Sequence, residues 1–104
     1  MFTTKDTNNF QLKMIDFGFA QKFKRDEGMT LILGSPLYMA PELVKRQVYD
    51  EKVDIWALGC IIYLLLSGQT PFQSREIPKI HSNTLNKKVT FQTSYWNNVS
   101  NECK

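Results

Sequence analysis

The stretch from Asp50 to Phe72 constrains this chain more than any other, because it reads as one long helix that is apolar on nearly every side. Asp50 is placed to cap the free amides at its start. Glu51 and Asp54 bring negative charge to the first turns, where the helix dipole stabilises it. Val53, Ile55, Trp56, Ala57, Leu58, Cys60, Ile61, Ile62 and Leu64 to Leu66 then follow with scarcely a polar break. Gly68 suits the left-handed residue just past a helix end, and Pro71 forbids continuation. From Glu51 to Ser67 the helix is roughly 25 Å long at ~1.5 Å per residue, enough to cross a domain. Its unbroken apolar run, Ala57 to Leu66, falls well short of the ~20 residues of a membrane span. The expectation is a long buried central helix, with no membrane partner.

A chain of 104 residues has room for at most one globular unit around such a helix, and 42% hydrophobic content places it among folded rather than disordered sequences. The net charge of +3 is too small, and its cations too scattered, to form a nucleic-acid groove, so nucleic acid is not an expected partner. The two cysteines, Cys60 and Cys103, have neither the number nor the spacing of a disulfide framework or a metal site. A reducing, intracellular and most simply cytoplasmic setting fits them. No repeat, low-complexity tract or linker interrupts the sequence.

Upstream, Phe10 to Ile15 alternates apolar and polar residues as a half-buried strand does, behind a polar turn from Lys5 to Asn9. A strand–turn–strand unit therefore leads into Asp16-Phe17-Gly18. A basic stretch with Lys22, Lys24 and Arg25 follows, then Asp26, Glu27 and Gly28. A loop this long is usually functional in a compact domain. It ends at Gly34-Ser35-Pro36-Leu37-Tyr38-Met39-Ala40-Pro41-Glu42.

Taken together, Asp-Phe-Gly, Gly-Ser-Pro-x-Tyr-Met-Ala-Pro-Glu, Asp-Ile-Trp-x-x-Gly and Ser-Gly-x-x-Pro-Phe resemble the large lobe of a eukaryotic protein kinase, in order and in spacing. Each block alone is weak, but four in order are not. The resemblance implies an α+β, mainly helical fold, a kinase-like large-lobe fragment with an N-terminal β-hairpin, an activation segment and a buried central helix. Residues 1–104 would be a partial kinase domain, running from just after the catalytic loop to an incomplete late helix. The form Gly34-Ser35-Pro36-x-Tyr38 looks like Ser/Thr kinases. Tyr49-Asp50-Glu51-Lys52 and Phe91 to Lys104 look like the calmodulin- and calcium-dependent group. Phe19-Ala20 and Gly-Ser-Pro-x-Tyr-Met also resemble autophagy-initiating kinases. No EF-hand loop of the Asp-x-Asp-x-Asp-Gly type occurs, so calcium or calmodulin regulation is not encoded here.

By that resemblance Asp16 is the magnesium ligand of a Mg2+–ATP site, with Phe17 and Gly18 completing its motif. Ser35 positions the substrate hydroxyl and the catalytic Asp. Glu42 and Asp54 match carboxylates whose partners, an Arg further on and the catalytic-loop backbone, are not in this sequence. Thr30 is a candidate phosphosite, one position from the usual one, which Leu31 occupies. No Gly-rich phosphate loop, no small-lobe Lys–Glu pair and no His-Arg-Asp is present, so no catalytic residue is expected in this chain. Met1 reads as an internal methionine of a longer kinase.

Other conspicuous residues take structural readings. His81 reads as a solvated surface histidine, Lys87-Lys88 as a solvated face, and Cys60 as a small buried hydrophobe. Trp56 and Tyr63 read as core or rim packing, Tyr95-Trp96 as a docking point for the polypeptide, and Ser100 as the cap of a following helix. A helix is expected from Gln73 to Asn83. The functional expectation is a piece of a Ser/Thr kinase that transfers the ATP γ-phosphate to protein hydroxyls, with the 104 residues inactive by themselves. The alternatives are a non-catalytic kinase-like binding or regulatory protein, which would use the Gln73–Asn83 helix and the Ser35–Pro41 loop, or a relic without function.

Overall fold

The structure of the chain is a computed structural model that describes residues 12–24, 26–91 and 94–104. Three α-helices organise them: α1 Pro41–Val44, α2 Lys52–Ser67 and α3 Ile77–Asn86. Three 3₁₀ turns, Pro36–Tyr38, Ser94–Trp96 and Asn101–Cys103, complete the regular structure. No strand of two or more residues occurs among the described residues; Met29 and Tyr49 form an isolated antiparallel bridge.

The start and stop of α2 follow local chemistry. The Asp50 carboxylate accepts the Lys52 amide at 3.0 Å, at the point where the first amides have no helical partner. At the other end Gly68 takes φ 74° and returns its N–H to the Leu64 carbonyl at 2.8 Å. The Ser67 hydroxyl donates to Tyr63 O at 2.7 Å and tightens the last turn.

Burial of α2 departs from expectation. Only Cys60 and Ser67 are buried along it, while Ile55, Leu58 and Leu65 are 67%, 51% and 76% exposed. The described residues cover one side of the helix, through the Pro36–Tyr38 turn and the Ser94–Trp96 turn, and leave the other bare. An all-round apolar helix needs neighbours all round, and the described residues supply them for part of the circumference.

The helix α3 begins at Ile77 rather than near Gln73, because Pro78 suits a first helical turn, where the N–H it lacks would have no helical partner, and does not suit a helix interior. Glu76, at φ −116° and ψ 132°, is the extended cap residue ahead of that turn. The helix then runs past Asn83 to Asn86, where the Lys87 amide closes it on Asn83 O at 2.8 Å. It packs on α1 and on the Pro36–Tyr38 turn. Buried in the core are Ala40, Leu43, Cys60, Phe72, Ile80 and Trp96. Tyr63, Phe91 and Trp96 form an aromatic triangle, with Phe91 and Trp96 edge to face at 4.8 Å and Tyr63 and Trp96 tilted at the same separation. Trp96 is the most deeply buried large side chain, so the polypeptide docks there as expected, while Tyr95 stays exposed.

His81 corrects its reading. It is half-buried, and its Nε2 is shielded from solvent without a hydrogen-bond partner among the described residues. It lies one residue after buried Ile80 and three before buried Thr84, on a helix packed on two elements. Lys87 is exposed as expected, although its ammonium also reaches Pro71 O at 3.4 Å. Ser100 precedes a single 3₁₀ turn, with no hydrogen bond from its side chain to a backbone amide of that turn. The first arm of the expected N-terminal hairpin lies outside the described residues. Of its second arm, Leu12, Met14 and Ile15 are exposed rather than half-buried.

Candidate functional site

An open cleft of about 500 Å³ lies between the segment after Ile15 and the start of α2. Asp16 and Phe17 border it on one side, Gly34 and Ser35 on another, and Tyr49, Glu51 and Asp54 on a third. Residues far apart in sequence thus meet at one opening. Among the described residues no Lys, Arg or His lines the cleft, and the ionisable groups they bring to it are the carboxylates of Asp16, Glu51 and Asp54 and two tyrosines.

The Asp16 turn is built from its own three residues. Asp16 takes φ 63°, a left-handed conformation that is uncommon outside Gly and most accessible to Asp and Asn. Its Oδ1 accepts the Gly18 amide at 3.2 Å, and the Ala20 amide closes on Phe17 O at 3.0 Å. A Cβ on residue 18 would stand 3.1 Å from that same Oδ1, so glycine lets the carboxylate fold back over its own turn. Phe17 and Phe19 are exposed.

Ser35 caps the Pro36–Tyr38 turn through its backbone, with Tyr38 N–H to Ser35 O at 3.0 Å, and its residue is exposed at the cleft edge. Asp54 is exposed in the first turn of α2. Glu42 is half-buried in α1 and stands apart from the cleft lining. Thr30 is exposed and also outside it. Of the residues singled out in the sequence, Asp16, Phe17, Ser35 and Asp54 border this cleft and Glu42 and Thr30 do not, while Tyr49 and Glu51, which the sequence did not single out as site residues, also line it. The signal was the Tyr49-Asp50-Glu51-Lys52 block, which points to subgroup in the sequence and to geometry only in the fold.

The fit of a divalent cation rests on Asp16. Among the described residues no three of His, Cys, Asp and Glu stand close enough to enclose a metal ion. One carboxylate suffices as the protein's share for magnesium, which keeps several waters and takes phosphate oxygens as further ligands. Asp16 fits that role and no larger one.

Against known proteins, the family model for the protein kinase domain matches residues 1–104. Calcium-dependent protein kinase 16 of Oryza sativa subsp. japonica is 40% identical over 104 residues, covering 100% of this chain and 19% of that protein. Serine/threonine-protein kinase ULK3 of Xenopus laevis is 40% identical over 93 residues, 89% of this chain and 20% of that protein. ULK3 of Rattus norvegicus is 45% identical over 78 residues, 75% of this chain and 16% of that protein. The chain spans about a fifth of the length of the curated relatives it matches.

Proposed function

This chain belongs to the protein kinase domain family, and from that premise we propose that it is the activation-segment and central-helix part of a Ser/Thr protein kinase, acting on protein substrates inside the cell. The observation that carries the reading is the convergence of Asp16, Ser35 and Asp54 on one cleft. ATP and magnesium are the cofactors of the family. Asp16 would hold the metal, which when bound would neutralise phosphate charge. Ser35, at the cleft edge, orients the acceptor hydroxyl. The transfer forms a bond from that hydroxyl oxygen to the γ-phosphorus and breaks the bond to the β,γ-bridging oxygen, and the hydroxyl proton leaves to a base that these 104 residues do not contain. Asp54 and Glu42 are structural carboxylates, and exposed Thr30 is a candidate acceptor of regulatory phosphate. Calcium stands in the names of several relatives; this chain carries no calcium loop of the EF-hand type.

The test replaces the aligned 104 residues of Calcium-dependent protein kinase 16 with this chain and follows phosphate transfer to a Ser/Thr peptide. Transfer is expected from the chimaera, lost with Asp16→Ala and kept with Glu76→Gln, a residue at the start of α3. The isolated chain is expected to transfer none. A chimaera that unfolds cooperatively yet transfers nothing overturns the reading.

A further inference from the structure

The segment between Asp16 and Ser35 is pinned to the α1–α2 connection at Tyr49. Met29 N–H donates to Tyr49 O at 2.8 Å and Tyr49 N–H to Met29 O at 3.0 Å, a complete antiparallel exchange. Two residues on, the Tyr49 hydroxyl donates to the Leu31 carbonyl, so one residue holds the segment by its backbone and by its side chain. Just before the bridge, Gly28 sits at φ 65° against Val48, and a Cβ there would fall 2.3 Å from Val48 Cγ1. A Cβ at residue 28 would therefore collide with the Val48 side chain, at a left-handed backbone conformation that itself favours glycine. Met29, Leu33, Ser35 and Tyr49 all border the cleft, so the pin lies on the wall that carries Ser35.

We propose that Tyr49 is a positioning residue: by gripping Met29 and Leu31 it sets where the following residues, through Ser35, stand relative to Asp54 across the cleft. The inference rests on the kinase reading for its consequence in catalysis, and on the hydrogen bonds alone for the grip. Tyr49→Phe is the informative variant, because it keeps the ring and both backbone bonds and deletes only the hydroxyl that holds Leu31.

Two measurements test it. In the 104-residue chain, hydrogen exchange at the Met29 and Tyr49 amides is expected to be slow and to quicken about three- to ten-fold in Tyr49→Phe, the factor expected for one hydrogen bond. In the chimaera, the same substitution is expected to raise KM for the peptide by a similar factor and leave KM for ATP unchanged. A fall in kcat with both KM values unchanged marks a merely structural role and overturns the proposal. So does unprotected exchange in the unsubstituted chain, or exchange that Tyr49→Phe leaves unaltered. If the unsubstituted chimaera is inactive the kinase reading fails, and exchange alone decides the grip. A second pair guards against a variant that fails to fold. Gly28→Ala is expected to abolish the protection, and Val48→Ala, which leaves Val48 Cβ at 3.8 Å from the new methyl, to restore part of it. No recovery in that pair overturns the close approach.

Discussion

Trp56 and Phe72 stack face to face, their ring centroids 5.5 Å apart and their planes within 9° of parallel. The contact exists because the chain reverses at Gly68 and brings Phe72 back along α2, so the stop of the helix and its packing are one event. Phe72 is 3% exposed. Truncation to alanine removes a full ring from the core, and Phe72→Ala is expected to cost about 3–5 kcal/mol. Urea unfolding followed by tryptophan emission measures it, with a red shift as Trp56 loses its cover. A cost below ~1 kcal/mol would show that the stack is incidental.

Two glycines of the same helix are expected to respond with opposite sign. Gly59 is helical, with nothing within 4 Å of a methyl placed on its Cα, so Gly59→Ala is expected to stabilise by about 0.5–1 kcal/mol through helix propensity. Gly68 also has open space but holds φ 74°, so Gly68→Ala is expected to destabilise by about 1–2 kcal/mol. Thermal midpoints of the two variants should fall on either side of the parent chain.

The two thiols are expected to separate by reactivity. Burial pushes the Cys60 thiol above its ordinary 9.0, because the thiolate loses its hydration, whereas Cys103 is exposed. Timed labelling with a disulfide reagent at neutral pH should modify Cys103 first, and Cys60 only as the chain opens. The folded form holds the Cys60 proton more tightly than the unfolded form. The contribution to stability is therefore full below pH 9.0 and declines as pH rises from there through the folded value. Cys60→Ala should flatten that alkaline decline, and an unchanged slope would assign it elsewhere.

Near the C-terminal turn, a bond from its own backbone amide and then one from the Ser100 hydroxyl hold the Glu102 carboxyl below the usual carboxylate range. A depressed carboxyl favours the turn above the ordinary carboxylate range and loses that effect as pH falls through the lowered value. Ser100→Ala is expected to move the Glu102 titration upward in a carbon NMR experiment, while the amide contribution stays.

The bare side of α2 gives a fifth expectation. Leu65 is 76% exposed, so Leu65→Lys should change the stability of the chain by no more than about 0.5 kcal/mol. It should also reduce self-association in sedimentation, since a broad exposed apolar face drives contact between copies. A large loss of stability would mean that Leu65 is packed rather than free.

Much of this was legible from residues one turn apart. Asp50, Gly68 and Pro71 set the ends of α2 through local hydrogen bonding and backbone restriction, and the helix runs from Lys52 to Ser67 as they indicate. Asp16-Phe17-Gly18 forms a tight turn closed by its own residues, the Gly18 amide on Asp16 Oδ1 and the Ala20 amide on Phe17 O. Local reasoning failed where a neighbour far along the chain decides. His81 sits in a polar run, yet it is half-buried because α3 lies on α1 and on the Pro36–Tyr38 turn. The start of α3 falls later than Gln73 for a reason that is local after all, the place of Pro78 in a first helical turn rather than in a helix interior.

The sequence alone thus determined the family, the limits of the central helix and the residue types at the site, since motifs, caps and breakers act within a few bonds. Tertiary structure decided that Asp16, Ser35 and Asp54 share a cleft, that Tyr49 grips Met29 and Leu31, and that the described residues cover one side of α2. Those outcomes depend on which surfaces meet, and burial is a property of neighbours rather than of the residue itself.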